Sequence, residues 1–189
     1  MAAVAPNDYS FADYLDVEER SPDVKHEFFD GTIWAMAGGT IEHARVSANI
    51  VFILSAQLRG RACTVYTSDL RVSVPVTDVA TYPDVTIICG RVEVDARDAS
   101  RRTATNPTVV VEVLSPRTEK HDRGRKLENY KRIESLQEIV FVAHDTRRIE
   151  VVRRLGSTWK HFECVEGEAE LASVQCRLPL AEVYLDPTA

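Results

Sequence analysis

The stretch VVVEVL at Val109–Leu114 is nearly continuous β-branched sequence, interrupted by one carboxylate. Such a run is typical of a strand that a sheet buries on both faces. Because side chains alternate along a strand, Glu112 should share a face with Val110 and Leu114. Burying a lone carboxylate costs several kcal/mol unless it is protonated, paired or bound to a cation. The stretch therefore predicts a central strand, with Glu112 either in a functional site or in an ion pair with a buried basic residue.

The sequence on either side of this stretch predicts helices and further strands. The upstream patterns are a short capped helix from Phe11, a hairpin joining Glu27-Phe28-Phe29 to Thr32-Ile33-Trp34 through Asp30-Gly31, a long helix from Thr40 to about Gly60, and strands at Val65–Val74 and Val85–Cys89. The downstream patterns are a basic helix at about Asp122–Glu134, a strand at Glu138–Ala143, and hairpin strands at Arg148–Arg154 and Thr158–Cys164. No repeat or linker interrupts this order, which predicts a single domain over residues 1–189. The expected fold is mixed α/β (α+β), with a mixed central β-sheet flanked by helices and additional β-hairpins.

Composition limits the class of protein. With 189 residues, of which 44% are hydrophobic and 28% charged, the chain is typical of globular proteins rather than disordered or coiled-coil ones. No apolar stretch approaches the about 20 residues of a membrane span, and the first residues do not resemble a signal peptide. We therefore expect a cytoplasmic protein with no membrane partner. The four cysteines form no C-x-x-C pair, so we expect reduced thiols rather than a zinc site.

Charge is unevenly distributed along the chain. The net charge of −6 argues against a general nucleic-acid coat protein. Residues 117–132 nevertheless hold seven basic side chains against three acidic ones. Such a segment can meet a polyanion, although a solvated helix face with i,i+4 ion pairs explains the charges at least as well.

A second carboxylate of interest is Asp84, which follows Tyr82-Pro83 and begins the strand Val85–Cys89. Alone it would be a turn residue. Beside Glu112 on a neighbouring strand, however, the two carboxylates would repel each other unless a cation lay between them. Oxygen ligands favour Mg²⁺ or Mn²⁺ over zinc.

Lys126 is the third candidate, because it shares a helical stripe with Tyr130 and Ile133 that should face the sheet. The alternative is a lysine that extends along the edge of an apolar face. Asp122, four residues earlier, could hold the ammonium or cap the helix.

Three further polar residues have ordinary explanations. His43 lies on the apolar stripe of the long helix and is interpreted as a core or boundary histidine. Glu27 opens the first hairpin and fits a cross-strand pair. Asp69 is explained by a pair with Arg71 on the same strand.

Several motifs nevertheless occur in the order found in one protein family. They are Glu27-Phe28-Phe29-Asp30-Gly31, His43, Ser68-Asp69-Leu70-Arg71-Val72, Tyr82-Pro83-Asp84-Val85, Val111-Glu112-Val113-Leu114-Ser115-Pro116 and Asp122-Arg123-Gly124-Arg125-Lys126-Leu127. From about Phe11 to Leu185 the chain resembles the Uma-two family of restriction-endonuclease-like proteins, which belongs to the PD-(D/E)XK nuclease superfamily.

The resemblance implies a metal site and a reaction. It implies that Asp84 and Glu112 bind Mg²⁺ or Mn²⁺ together with the carbonyl of Val113. The superfamily lysine two residues after the glutamate is replaced by Leu114, and the family's equivalent matches Lys126 on the following helix.

Two further positions, His43 and Glu27, match family positions near the site. The implied activity is metal-dependent hydrolysis of phosphodiester bonds, in DNA, with Arg123 and Arg125 holding the nucleic-acid backbone. Analogy with related nucleases suggests a homodimer.

Two other functions fit the same residues. One is a catalytically inactive nuclease fold that binds DNA or a protein partner, which the leucine at position 114 and the net charge favour. The other is an interaction module in which Glu112 only pairs with an internal Arg or with Lys126.

Overall fold

The computed structural model describes residues 2–6, 8–36, 38–115 and 119–188, with the side chains of 2–6 left out. The helices are α1 (Phe11–Arg20), α2 (Ile41–Leu58), α3 (residues 119–130) and α4 (Leu180–Val183), with 3₁₀ turns at Pro75–Thr77 and Ala172–Val174. The strands are β1 (Ala2–Pro6), β2 (His26–Phe29), β3 (Thr32–Ala35), β4 (Cys63–Thr67), β5 (Arg71–Val74), β6 (Val79–Thr81), β7 (Val85–Cys89), β8 (Thr103–Ala104), β9 (Val109–Leu114), β10 (Glu138–Ala143), β11 (Ile149–Leu155), β12 (Thr158–Cys164), β13 (Glu168–Leu171) and β14 (Cys176–Pro179).

Within the described residues these strands form two six-stranded sheets and a small hairpin. The first sheet has the order β1-β3-β2-β6-β5-β8, the second has the order β12-β11-β10-β9-β7-β4, and β13 pairs with β14. Strand β9 pairs in parallel with β10 and antiparallel with β7. The predicted mixed sheet, flanked by helices and accompanied by hairpins, is therefore confirmed.

Strand β9 lies between two hydrophobic cores. Its Val109, Val111 and Val113 belong to the core that includes α2. Its Val110 and Leu114 belong to the core that includes α3 and residues of the first sheet. All six residues of β9 are buried, so the alternation predicted from VVVEVL is correct.

Local sequence signals also set the hairpin and the helix starts. In α1 the Ser10 side chain accepts from the backbone of Asp13, and the Asp13 side chain bonds back to the backbone of Ser10. The β2–β3 turn has positive φ at both Asp30 (46°) and Gly31 (75°), as a two-residue hairpin turn of this hand requires. Thr40 caps α2 by accepting from the backbone of His43.

Two element predictions were wrong in their extent. Val65–Val74 is not one strand but parts of β4 and β5, which belong to different sheets. The two strands are separated by a tight turn, in which the Leu70 N–H donates to the Thr67 carbonyl at 3.1 Å. The alternation of polar and apolar residues continues through this turn, so it did not reveal the break. The basic helix spans residues 119–130 rather than Asp122–Glu134, and its middle, Asp122–Lys126, is π-helical.

The prediction of reduced thiols was also wrong for two of the four cysteines. Cys63 and Cys89 form a disulfide, whereas Cys164 and Cys176 are free. The bonded pair lies directly opposite on β4 and β7, with 3.9 Å between the Cα atoms. A separation of 26 residues in sequence gave no sign of this proximity.

Among the described residues the structure contains no helix that could span a bilayer.

Candidate active site

The two predicted carboxylates meet across β7 and β9. Val85 is paired with Val111 in the antiparallel register, which places Asp84 beside Glu112. The Val113 N–H donates to Asp84 Oδ2 at 2.7 Å, so the backbone of β9 fixes this carboxylate. The Glu112 side chain is 4% exposed and that of Asp84 16% exposed. One carboxylate therefore lies inside the protein and the other at its edge.

Described residues hold Glu112 through one of its oxygen atoms. Its Oε1 accepts from Tyr130 Oη at 2.6 Å and from Lys126 Nζ at 3.2 Å. Burial raises the pKa of Glu112 well above its ordinary value; the charge of Lys126 opposes this rise, while nearby Asp122 and Asp84 add to it.

Lys126 is surrounded by carboxylates. Its Nζ lies 2.7 Å from Glu27 Oε1, 3.2 Å from Glu112 Oε1 and 3.4 Å from Asp122 Oδ1. Burial alone would lower the pKa of Lys126, but Glu112 and Glu27 outweigh it and hold that pKa well above the ordinary value. Lys126 is therefore a fixed positive charge, not a proton acceptor. The predicted contact with Asp122 is confirmed.

Glu27 reaches the site from the first sheet. It is 1% exposed, and burial raises its pKa. Its Oε2 lies 3.9 Å from His121 Nε2 on α3. Burial and the charge of Lys126 lower the pKa of His121 to about 4, so this imidazole is neutral at neutral pH. Glu27 is thus part of the Lys126 cluster, and its interpretation as a simple cross-strand pair was wrong.

His43 lies against Asp84 at the start of α2. Its Nε2 is 3.2 Å from Asp84 Oδ2. The hydrogen bond to Asp84 raises the pKa of His43 against the effect of burial. A Cβ atom at Gly39 would come within 2.7 Å of His43 Nδ1, so the loop before α2 needs glycine for the ring to lie here.

The donor set suits a divalent cation in its chemistry. Four carboxyl groups (Glu27, Asp84, Glu112 and Asp122) lie around one ammonium, that of Lys126, and the imidazole of His43 contacts Asp84. Carboxyl groups therefore outnumber the basic side chains of this cluster. Within the described ranges no group of three His, Cys, Asp or Glu side chains is arranged to hold a metal ion by itself. Oxygen donors from Asp84 and Glu112, completed by a main-chain carbonyl, are a set that Mg²⁺ or Mn²⁺ accepts.

The two arginines predicted to bind nucleic acid differ in their surroundings. Arg123 donates to both oxygens of Glu150 at 2.6 and 2.7 Å and to Glu119 at 2.8 Å. Its charge is therefore neutralised within the protein. Arg125 is exposed on the same π-helical segment. Binding of nucleic acid by either residue stays a prediction. Arg117, the first basic residue of the segment 117–132, lies outside the described residues.

Sequence reasoning missed the polar role of Tyr130. It placed this residue on an apolar stripe, whereas the hydroxyl reaches Glu112; the spacing of four residues from Lys126 is the signal that both share one helix face. The Asp69 prediction was also wrong. Asp69 pairs with Lys25, and Arg71 pairs with Asp98 at 3.0 Å.

The fold is restriction-endonuclease-like. A solved structure from Anabaena variabilis, described as a putative nuclease belonging to DUF820, superimposes with a TM-score of 0.73 at 16% identity and covers 93% of this chain and 97% of that one.

Sequence comparison gives the family. The family described as "Uma2: Putative restriction endonuclease" matches residues 11–181. "Uncharacterized protein slr1290" of Synechocystis sp. is 38% identical over 143 residues, covering 75% of this chain and 72% of the relative. "Uncharacterized protein sll1609" of the same organism is 30% identical over 161 residues, covering 85% and 89%. The chain belongs to the Uma2 family.

Proposed function

We propose that this protein is a divalent-metal-dependent nuclease that hydrolyses phosphodiester bonds in DNA. The observation that carries the proposal is the placement of Asp84 beside Glu112 on paired strands, with the Lys126 ammonium 3.2 Å from Glu112. Membership of a family described as restriction endonucleases, and the likeness to the Anabaena protein described as a nuclease, support the same class of reaction.

Asp84 and Glu112, with the carbonyl of Val113, would hold the ion. A divalent ion supplies a Lewis acid that polarises a phosphate oxygen and acidifies an attacking water. The protein's own part is to keep the donors in place. The Val113 N–H and His43 both contact Asp84 Oδ2, at 2.7 and 3.2 Å, and restrict its rotation.

Lys126 would supply a permanent positive charge beside the reacting phosphate. Because its pKa is raised, the ammonium keeps its protons at neutral pH. It therefore stabilises negative charge that develops on the phosphate and does not act as the general base. Glu27 also holds the ammonium, at 2.7 Å.

DNA would be held at the exposed surface of α3, and Arg125 is the proposed contact because its side chain is accessible. Arg123 would have to leave Glu150 before it could bind a phosphate group. We therefore propose a positioning role for Arg123 within α3 and a phosphate contact for Arg125.

The test is titration of Mn²⁺ by calorimetry into the wild type, Asp84→Asn and Glu112→Gln, in the presence of a short DNA duplex. Loss of an outer partner of a metal ligand already weakens binding about 10–100-fold, so each variant should lose at least that much. Asp69→Asn is the matched control, because it removes the same charge from a side chain that is 84% exposed and forms an ion pair with Lys25, away from the carboxylate cluster.

A cleavage assay on the same duplex completes the test. Wild type and Asp69→Asn should cut the DNA with Mn²⁺, whereas Asp84→Asn, Glu112→Gln and Lys126→Ala should not. If the wild type binds no Mn²⁺ with DNA present, the proposed reaction is wrong. The protein is then better described as a nuclease fold that binds DNA or a protein partner.

A further inference from the structure

A chain of two buried hydroxyl groups leads to Glu112. Thr81 Oγ1 on β6 lies 2.9 Å from Tyr130 Oη at the end of α3, and Tyr130 Oη lies 2.6 Å from Glu112 Oε1 on β9. Thr81 and Tyr130 are both 0% exposed. The hydrogen bonds therefore connect β6 of the first sheet, through α3, to one carboxylate oxygen on β9.

The direction of these hydrogen bonds follows from the chemistry of the groups. An ionised carboxylate only accepts, so Tyr130 donates its single hydroxyl proton to Glu112. Thr81 must then donate to Tyr130, because the phenol oxygen can still accept. The role of Thr81 is thus to fix the direction of the Tyr130 hydroxyl.

The consequence for Glu112 is a distinction between its two oxygens. The hydrogen bonds that described residues make to this carboxylate, from Tyr130 and from Lys126, both go to Oε1. The second oxygen, Oε2, takes no hydrogen bond from the same set of residues. Because Oε1 is occupied by these hydrogen bonds, the carboxylate keeps one orientation, in which Oε2 is the oxygen left to bind a ligand.

We propose that Tyr130, held by Thr81, is a positioning residue that orients Glu112 so that Oε2 meets the divalent ion. This inference rests on the proposed function, because it concerns the same metal site. It assigns to β6 and to the end of α3 a part in metal binding, although neither element supplies a ligand.

The test compares Mn²⁺ affinity in Tyr130→Phe, Thr81→Val and Thr81→Ser by calorimetry. Tyr130→Phe removes one oxygen from a buried ring and should weaken Mn²⁺ binding by about tenfold, the lower end for outer partners of metal ligands. Thr81→Val should weaken it less, and Thr81→Ser, which restores the hydroxyl, should bind as the wild type does. Because Thr81 acts through Tyr130, the double variant Thr81→Val/Tyr130→Phe should bind no more weakly than Tyr130→Phe alone.

The outcomes separate this inference from the proposed function. Wild type that binds no Mn²⁺ overturns the proposed function, and this inference with it. Wild type that binds Mn²⁺ while folded Tyr130→Phe binds it equally well overturns this inference and leaves the proposed function standing. A purely structural hydroxyl pair would lower the melting temperature of both variants without changing the Mn²⁺ affinity. If Tyr130→Phe does not fold, a Thr81→Val affinity equal to that of the wild type overturns the inference.

Discussion

Glu112 is buried beside one ammonium, that of Lys126, and close to three other carboxyl groups. These are Asp122, Asp84 and Glu27. Without a cation from solution this arrangement costs folding free energy, because burial and like charges disfavour the ionised form. Lys126 does not offset this cost completely, since its ammonium also forms ion pairs with Glu27 and Asp122.

Glu112→Gln is therefore expected to stabilise the metal-free protein at neutral pH. Glutamine still accepts from Tyr130, and Lys126 keeps Glu27 at 2.7 Å, so no buried charge loses its partner. In thermal unfolding with a chelator, a gain of about 1 kcal/mol would raise the melting temperature by about 2–4 °C.

The pH dependence of that gain follows from the direction of the pKa shift. The folded-state pKa of Glu112 is raised above its unfolded value of about 4.3. Its contribution to stability is therefore present below about pH 4.3 and is lost as pH rises through the folded pKa. The advantage of Glu112→Gln should grow as pH rises from about 4.3 toward the folded-state pKa. A destabilised Glu112→Gln protein in chelator would instead indicate that Glu112 serves only as the partner of Lys126.

At this scale the sequence predicted that Asp84 and Glu112 lie on neighbouring strands, and the register of β7 and β9 confirms this. A carboxylate inside VVVEVL is detectable because its neighbours define a buried strand. Asp84 and Lys126 carry weaker local signals: Asp84 begins a neighbouring strand, Lys126 lies on a stripe that should face the sheet, and the family resemblance agrees with both. The spacing of four residues places Tyr130 on the helix face of Lys126, but a buried tyrosine has the same pattern whether or not its hydroxyl is used.

Helix α3 is the element that brings Lys126 to the carboxylates. Residues Asp122–Lys126 are π-helical, and both end residues of the segment are buried while Gly124 is exposed. Wider turns of this kind are frequent at functional sites. Within this segment Asp122 and Lys126, four residues apart, lie 3.4 Å from each other on the buried side.

Deletion of Gly124 should return this segment to regular α-helix and rotate the residues before it by about 100° relative to those after it. Asp122 and the residues before it would then be turned relative to Lys126 and Tyr130, so the two buried ends of the segment could not both keep their present contacts. We expect loss of DNA cleavage and a lower melting temperature. Gly124→Ala is the matched control: a Cβ there meets no atom within 4 Å, and alanine in a helix is favoured over glycine by about 1 kcal/mol. Equal activity of the deletion and the alanine variant would contradict a role for the π-helical turn.

Periodicity predicted the existence of this helix but not its form. The stripe of Lys126, Tyr130 and Ile133 is buried as expected. A π-helical turn shifts the spacing by one residue, and no residue type marks that shift in the sequence. The predicted end at Glu134 extended too far, since Tyr130 is the last helical residue.

On the scale of the whole molecule, the site joins both sheets and two helices. Glu27 comes from the first sheet, Glu112 from the second, His43 from α2 and Lys126 from α3. Sequence patterns place each residue on its element but do not give the distances between elements. That is why the ion pair between Glu27 and Lys126, and the disulfide between Cys63 and Cys89, were not predicted.

The disulfide should contribute measurably to the stability of the fold. For a separation of 26 residues, chain entropy predicts a loss of about 3 kcal/mol when the bond is removed. Urea unfolding of the variant Cys63→Ser/Cys89→Ser should show this loss, and a reducing agent should lower the stability of the wild type to a similar level. Cys164→Ser, which removes a free thiol, should unfold as the wild type does. No response of the wild type to the reducing agent would contradict the pairing.

The position of this bond also determines which end of β4 can separate more easily from β7 in the second sheet. Strand β4 lies at the edge of the sheet and is bonded to β7 at Cys63 and Cys89, while its other end, Thr67, pairs with Val85 next to Asp84. An edge strand fastened at one end frays from the other. We therefore expect the backbone amides of β4 nearest Asp84 to exchange with solvent before those beside the disulfide.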